Sequence, residues 1–211
     1  PIKAHIITEE FNRVRAPREI PGNGPGLVVP TLLACGNDWQ KETFIPKSLT
    51  GEYNWCQGYS EPGAGSDLAS LRTKGMLEGD EWVINGQKVW TSGAQYATHM
   101  FILVRTEPDA PKHQGISYLL LNMKQPGVQV RPLRQITGEA HFNEVFFDDV
   151  RLPPGSEVGP VDGGWGVAMT TLMFERVAIG LGGEGFGWRA DRFAHALIGD
   201  EDAMRDPEVR H

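Results

Sequence analysis

Short β-prone segments separated by turn residues occupy the middle of this chain, and they restrict its fold more than any other feature. Four apolar and β-branched runs predict strands at residues 100–105, 116–122, 128–133 and 144–150. The pair Asn85-Gly86, between residues 81–84 and 87–90, predicts a β-hairpin, because Asn-Gly favours the type I′ turn. Such a series of strands predicts an antiparallel β-barrel or β-sandwich.

Helical patterns precede this β-region. A short apolar helix is predicted over residues 27–35 with Gly36 at its end, because glycine is common just past a helix C-terminus. Asn37 and Gln40 have the spacing of a capping box and predict the start of another helix, which Pro46 is expected to interrupt. An earlier helix is predicted from apolar residues at helical spacing, namely Ile2, Ile6, Phe11 and Val14.

After Gly163 the chain is predicted to become helical again. Apolar residues seven apart mark a buried stripe: Leu172, Ile179, Phe186 and Phe193. The five glycines between 180 and 187 each weaken a helix by about 1 kcal/mol, and they favour close approach of another helix or a ligand. The sequence therefore predicts an α+β fold, with a β-domain at 52–160 between incomplete helical domains at 1–51 and 161–211.

The composition fits an ordinary globular protein, with 40% hydrophobic and 22% charged residues. A net charge of −7 leaves no basic excess for phosphates, so no nucleic-acid partner is expected. No apolar run approaches the ~20 residues of a membrane-spanning helix. Cys35 and Cys56 are too few for a disulfide framework, so the predicted location is the cytoplasm. Glu139, His141 and Glu144 are neighbours without a second ligand cluster, so no metal site is predicted.

Two segments of the β-region carry residue types suited to ligand binding. In the first, residues 55–67, glycines precede Ser66 and could let backbone N–H groups form an anion-binding concavity, although a plain strand-ending turn is an alternative. In the second, Trp90 precedes Thr91 and Ser92, which offers stacking area beside hydroxyl groups for a planar cofactor. The alternative here is a hairpin with Trp90 in the core.

A third candidate is the pair Glu175-Arg176 in the last predicted helix. Glu175 lies three residues after Leu172 and four before Ile179, so it falls within the apolar stripe. Burial there would raise the pKa of this carboxyl toward that of a useful general base. A structural ion pair with Arg176 or with a neighbouring chain is the alternative.

These segments occur in an order that resembles the acyl-CoA dehydrogenase family. The carrying motifs are SEPGAGSD at 60–67, NGQKVWTSG at 85–93, FFDDVRLP at 146–153 and DGGWGVAMTTLMFERVAIG at 162–180. The resemblance implies a middle β-domain between two helical domains. It also implies FAD as cofactor and α,β-dehydrogenation of an acyl-CoA thioester. A carboxylate removes the α-proton while a hydride leaves the β-carbon for flavin N5.

The resemblance also assigns roles to individual residues. Glu175 matches the catalytic base of some family members, although a carboxylate outside this chain is the alternative. Ser66 and Arg176 match substrate-binding positions. The positions that match flavin contacts are Gln57, Gly58, Tyr59, Ser60, Ser66, Trp90, Thr91 and Ser92.

Partners follow from the same resemblance. It implies a homo- or hetero-oligomer, an acyl-CoA substrate, and an electron-transferring flavoprotein as electron acceptor. The segment 134–143 departs from the common family pattern and resembles a bacterial branch that acts on bulky or steroid-derived acyl-CoAs. Two alternatives stay open: an acyl-CoA oxidase, and a non-catalytic or truncated partner subunit of a heteromeric dehydrogenase.

Overall fold

A computed structural model describes residues 10, 11, 13, 14 and 22–180, with side chains as far as Arg176. Most of the first predicted helix, and the part of the apolar stripe that includes Phe186 and Phe193, lie outside the described residues. The glycines after residue 180 also lie outside them. The chain forms two compact units, Pro1–Phe174 and Glu175–His211. The domain boundaries predicted near residues 51 and 160 stay predictions.

Within residues 22–54, two helices precede the sheet, as the sequence predicts. A π-helical turn, Gly24–Val28, continues into α1, Val29–Cys35, and α2 covers Asp38–Leu49. The predicted capping box is present, since the Asn37 side chain accepts from the Gln40 N–H and the Gln40 side chain accepts from the Asn37 N–H. The predicted interruption at Pro46 is wrong. The helix runs through it, because the next turn closes where the Thr50 N–H donates to the Pro46 carbonyl at 3.0 Å.

Within residues 22–180, seven strands form one sheet. Their bounds are β1 Trp55–Gly58, β2 Lys74–Glu78, β3 Glu81–Lys88, β4 His99–Arg105, β5 Ile116–Asn122, β6 Val128–Leu133 and β7 Phe142–Leu152. The order is β1-β4-β2-β3-β7-β6, with β5 also paired to β4. The α+β fold is confirmed, as are the strands predicted at 100–105, 116–122, 128–133 and 144–150. The sheet is mixed, because β1 runs parallel to β4 while β5 is antiparallel to β4.

The hairpin predicted at Asn85-Gly86 is wrong. Strand β3 continues through this pair, and the hairpin turn lies at residues 79–80, where Glu78 pairs with Glu81. Asn85-Gly86 instead forms an irregularity in the ladder with β7, between Ile84 and Gly86. The Asn85 side chain donates to the Asp149 carboxylate at 2.8 Å and accepts from the Asp149 N–H at 2.9 Å. The positive φ of Gly86, 149°, therefore serves a bulge within a strand.

Alternate residues of β4 enter two separate hydrophobic clusters. Phe101 and Leu103 belong to a cluster that also contains helical residues, whereas Met100, Ile102 and Val104 belong to a second cluster. Strand β5 alternates in the same way, with Ile116, Tyr118 and Leu120 in the first cluster and Leu119 and Leu121 in the second. This two-residue period shows that both faces of the central strands are buried.

The last described helix, α3, covers Gly164–Gly180 and confirms the helix predicted after Gly163. Within the first unit, its residues Val167 and Ala168 pack into the first hydrophobic cluster. The buried hydroxyl groups of Thr31 and Thr171 lie 3.0 Å apart and link α1 to α3. In the described part of the chain, no helix combines the length and apolar character needed to span a membrane.

Candidate functional site

The first two candidate segments meet where β1 and β3 end. Tyr59, Ser60 and Glu61 follow β1, and the Ser60 carbonyl accepts a hydrogen bond from the Val89 N–H at 2.9 Å. Trp90 is the next residue after Val89. We call residues 59–61 together with residues 88–90 the junction. The two motifs recognised in the sequence are therefore adjacent in space.

Trp90 is presented to solvent at the junction. Its side chain is 63% exposed, and it contacts Phe142 edge-to-face with ring centroids 5.9 Å apart. The alternative that placed Trp90 in the core is therefore wrong. Its backbone is left-handed, with φ 59°, which is rare for a bulky residue and costs conformational energy. Such strain is typical of ligand sites.

Thr91 is held against β7 and carries an unsatisfied group. The Thr91 N–H donates to the Asn143 carbonyl at 3.1 Å, and the Asn143 N–H returns a bond to the Thr91 carbonyl at 3.1 Å. The Asn143 side-chain amide donates to the same Thr91 carbonyl at 2.9 Å. The buried Thr91 hydroxyl has no hydrogen-bond partner within the described residues, whereas Ser92 is exposed. A buried hydroxyl of this kind fits a group that a bound ligand would contact.

The glycine-rich turn closes tightly but leaves open space. Glu61 and Ala64 exchange two backbone hydrogen bonds of 2.8 and 3.0 Å. A Cβ added at Gly63 or Gly65 would meet no atom within 4 Å, so packing within the described chain does not require glycine there. Ser66 is exposed beyond this turn. The turn therefore has the room that close approach of a ligand needs.

A buried ion pair joins the two motifs. Lys88 is 0% exposed, and its Nζ donates to Glu61 Oε1 at 2.8 Å and to the Tyr59 carbonyl at 3.0 Å. The Glu61 carboxylate also accepts the Arg72 N–H at 2.6 Å and the Thr73 N–H at 2.9 Å. All the polar atoms of this pair thus lie within a network that spans β1, β3 and the start of β2.

The protonation of this pair follows from its surroundings. Burial lowers the pKa of Lys88 to about 8, while the Glu61 carboxylate opposes that change. Burial alone would raise the pKa of Glu61, but the Lys88 ammonium and the hydrogen bonds from Lys88, Thr73 and Arg72 lower it below its ordinary value. Near neutral pH the pair is therefore charged on both sides.

A cleft of about 480 Å³ opens beside the buried pair. It is lined by Glu61, Pro62, Gly63, Ser70, Arg72, Thr73, Gly86 and Gln87. The nearly buried Glu61 and the exposed Arg72 are both among its lining residues. The glycine-rich turn and the bulge in β3 thus border one open space.

The remaining predicted residues have the following positions. Gln57 and Gly58 end β1, and a Cβ on Gly58 would lie 2.5 Å from Met100 Sδ, so this strand approaches β4 closely. Glu175 is half-buried and Arg176 is exposed, both in the helical part of the second unit. Their catalytic and substrate-binding roles stay predictions.

The sequence analysis did not predict roles for Glu61, Lys88 and Asn143. A signal was present, because Lys88 falls on the inward-facing register of β3 and Glu61 is an opposite charge in the other motif. Distance along the chain hid their pairing. Metal ligation has no support among the described residues, where no three His, Cys, Asp or Glu side chains form a metal-binding group.

Comparison with known proteins identifies the middle region. Residues 56–150 match the acyl-CoA dehydrogenase middle domain. The chain is 53% identical over 181 residues to acyl-CoA dehydrogenase IpdE1 of Mycobacterium tuberculosis (strain ATCC 25618 / H37Rv), a match covering 85% of this chain and 47% of that protein. It is 49% identical over 191 residues to IpdE1 of Mycolicibacterium smegmatis (strain ATCC 700084 / mc(2)155), covering 85% of this chain and 49% of that protein. The chain thus spans about half the length of these relatives.

Solved structures lead to the same family. The "Tcur3481-Tcur3483 steroid ACAD" superposes with a TM-score of 0.79 at 36% identity, covering 88% of this chain and 48% of that one. The ChsE4-ChsE5 complex from Mycobacterium tuberculosis gives a TM-score of 0.69 at 39% identity, covering 80% and 43%. The shared middle domain, the sequence identity and the shared fold together show that this chain belongs to the acyl-CoA dehydrogenase family.

Proposed function

We propose that the protein containing this chain is an FAD-dependent acyl-CoA dehydrogenase that forms an α,β-double bond in an acyl-CoA thioester. The observation that carries this proposal is the junction, where the Val89 N–H binds the Ser60 carbonyl and Trp90 is exposed in a strained conformation. Family membership supports the type of reaction. The geometry of the junction supports the proposal that the flavin binds there.

The residues of the junction fit a flavin. A flat heteroaromatic ring needs an apolar face and hydrogen-bonding groups at its edge. The exposed face of Trp90 offers the first, and the buried Thr91 hydroxyl, without a partner among the described residues, offers the second. Ser60 in the first segment and Ser92 in the second add further hydroxyl groups. We also assign Gln57, Gly58 and Tyr59 to the flavin site. Ser66 is assigned to the end of the site that would hold the FAD pyrophosphate and the substrate.

The chemistry divides between the cofactor and the chain. FAD, when bound, supplies the N5 atom that accepts the hydride from the β-carbon. Glu175 holds the role of general base and takes the α-proton onto a carboxylate oxygen, so that the proton and the hydride leave adjacent carbons. Arg176 lies next to this base in α3 and is assigned to the substrate. Trp90 and Thr91 orient the ring, and hydrogen-bond donors at its edge stabilise developing negative charge.

The substrate class is proposed from relatives. One similar structure is named a steroid acyl-CoA dehydrogenase. We therefore propose a bulky, steroid-derived acyl-CoA as substrate and an electron-transferring flavoprotein as electron acceptor. Another similar structure is a two-protein complex, so a heteromeric assembly is proposed for the intact protein. A cytoplasmic location stays a prediction.

Anaerobic titration of the flavin-loaded intact protein with steroid-derived and straight-chain acyl-CoAs tests the proposal. Substrate should bleach the flavin absorption, and Glu175→Gln should slow bleaching by about 10²–10⁴-fold, the usual contribution of a general base. Glu78→Gln, at the exposed tip of the β2–β3 hairpin, is the matched control and should bleach at the parent rate.

Three other results would change the assignment of the base, the electron acceptor or the cofactor. Bleaching that is unchanged in Glu175→Gln would place the base on another residue or on a companion subunit. Rapid reoxidation of the reduced flavin by oxygen would favour an oxidase. A protein that holds no flavin after FAD addition would contradict the proposal.

A further inference from the structure

The junction contains a buried charge pair for which the proposed chemistry has no use. Lys88 is 0% exposed and Glu61 is 8% exposed, and their charged atoms lie 2.8 Å apart. Burying two charges carries a desolvation penalty, and replacing such a pair with apolar residues often leaves stability unchanged or improved. Stability alone therefore does not explain the pair. Its position in the fold suggests a geometric role.

The contacts of Lys88 extend to both segments of the proposed flavin site. Its Nζ bonds the Tyr59 carbonyl at 3.0 Å, one residue before Ser60. Lys88 itself lies two residues before Trp90. Between these contacts, the Val89 N–H donates to the Ser60 carbonyl at 2.9 Å. One side chain and one backbone bond thus tie the two segments together.

Glu61 fixes this arrangement to the rest of the sheet. Its carboxylate accepts the N–H groups of Arg72 and Thr73, which immediately precede β2. Because both carboxylate oxygens are bonded, the side chain cannot rotate without breaking charge-assisted hydrogen bonds. The strained backbone of Trp90 needs such support, since an unfavourable φ persists only where its surroundings fix it.

We propose that Glu61 and Lys88 are positioning residues that set the separation between the Ser60 and Trp90 sides of the flavin site. Neither residue transfers a proton or contacts the reacting carbons in this role. The pair holds the main chain at residues 59–60 against residues 89–90. This inference rests on the proposed function, because it concerns the same site.

The test compares Lys88→Met with Leu121→Ala in the intact protein. Leu121 is 1% exposed in the second hydrophobic cluster, so its truncation lowers stability without touching the junction. Two readouts are taken: hydrogen exchange of the Val89 amide without cofactor, and the dissociation constant for FAD. The two variants are compared after correction for any difference in their loss of stability. Lys88→Met should then lose protection of the Val89 amide, and it should bind FAD at least about tenfold more weakly than Leu121→Ala. The reason is that the charge-assisted hydrogen bonds of the Lys88 ammonium are missing.

A second variant guards against failure of the first to fold. Glu61→Gln with Lys88→Met removes both charges and keeps one carbonyl oxygen, which can accept from either the Arg72 or the Thr73 amide but not from both as the carboxylate does. The double variant should be more stable than Lys88→Met, because no charge is left buried without its partner, yet it should bind FAD more weakly than the parent, with faster Val89 exchange. A positioning role is overturned if Lys88→Met matches Leu121→Ala in both readouts, or if the double variant matches the parent in both. If the parent protein binds no FAD, the proposed function fails, and the exchange of Val89 without cofactor still decides whether the pair positions this segment.

Discussion

Different forces hold the central strands β4 and β5 and the buried part of the junction. In β4, side chains such as Phe101 and Ile102 are 0% exposed and contact apolar residues on both faces. In the junction, the Glu61–Lys88 pair and backbone hydrogen bonds connect the two segments, while the Tyr59 ring packs into the first hydrophobic cluster. Apolar burial is non-directional, whereas charge-assisted hydrogen bonds fix particular atoms. The strands therefore supply stability, and the junction supplies defined geometry.

The comparison predicts its largest effect at the buried pair. Glu61→Leu leaves the Lys88 ammonium buried without its carboxylate, which should lower the free energy of unfolding by about 3–5 kcal/mol. Urea unfolding measures this loss. Combining Glu61→Gln with Lys88→Met should recover part of this loss, because no unpaired charge stays buried although one backbone amide loses its acceptor. A loss below about 1 kcal/mol in the single variant would mean that the pair resembles an exposed one.

A core substitution should lower stability while sparing the site. Leu121→Ala should lower the free energy of unfolding by about 2–5 kcal/mol, because it leaves a cavity in the second hydrophobic cluster. Denaturant titration measures the free energy of unfolding, and FAD titration measures cofactor binding. The volume-conserving Leu121→Met is the control and should lose less than about 1.5 kcal/mol. Weakened FAD binding in Leu121→Ala beyond the loss from unfolding would contradict the separation.

The pH dependence of stability should differ between the two regions. Burial alone would raise the pKa of Glu61, but the Lys88 ammonium and the hydrogen bonds from Lys88, Thr73 and Arg72 lower it below its ordinary value. The stabilisation that the Glu61 carboxylate provides is therefore fully present above the ordinary carboxyl pKa. It is lost as the pH falls through the lowered pKa of Glu61 in the folded protein. Thermal unfolding from neutral to acid pH should show a steeper decline in the parent than in Glu61→Gln. Parallel curves for the two proteins would contradict this assignment.

The smallest effect is expected at the exposed hairpin between β2 and β3. Arg151 contacts Glu78 at 3.1 Å and Glu81 at 3.2 Å, but about half of each side chain is exposed. Solvent and salt screen such pairs, so Arg151→Ala should leave the melting temperature almost unchanged. Differential scanning calorimetry at low and high salt checks this. A drop as large as that of Glu61→Leu would remove the distinction between buried and exposed pairs.

The sequence predicted the apolar part of the fold well. Strands β5 and β6 match their predicted bounds, because apolar and β-branched runs between turn residues are local signals. The error at Asn85-Gly86 shows the limit of local signals. The same pair suits a hairpin turn or a bulge, and a contact with Asp149, distant in sequence, decided between them.

The candidate site was predictable only in part. The two motifs located Ser60 and Trp90, but the exposure of Trp90 depends on how β3 ends against β7. The pairing of Glu61 with Lys88 was not predicted, since it joins residues 27 positions apart, one after the end of β1 and the other at the end of β3. Tertiary contacts, rather than local propensity, determine such positions.

The most direct measurement is hydrogen–deuterium exchange of the intact protein with and without FAD. The account predicts slower exchange on FAD binding in peptides that cover residues 57–61 and 89–92, with no change in the exposed β2–β3 hairpin. FAD could instead slow exchange in other peptides and leave the exchange of both junction segments unchanged. That result would contradict the central claim that the junction forms the flavin site.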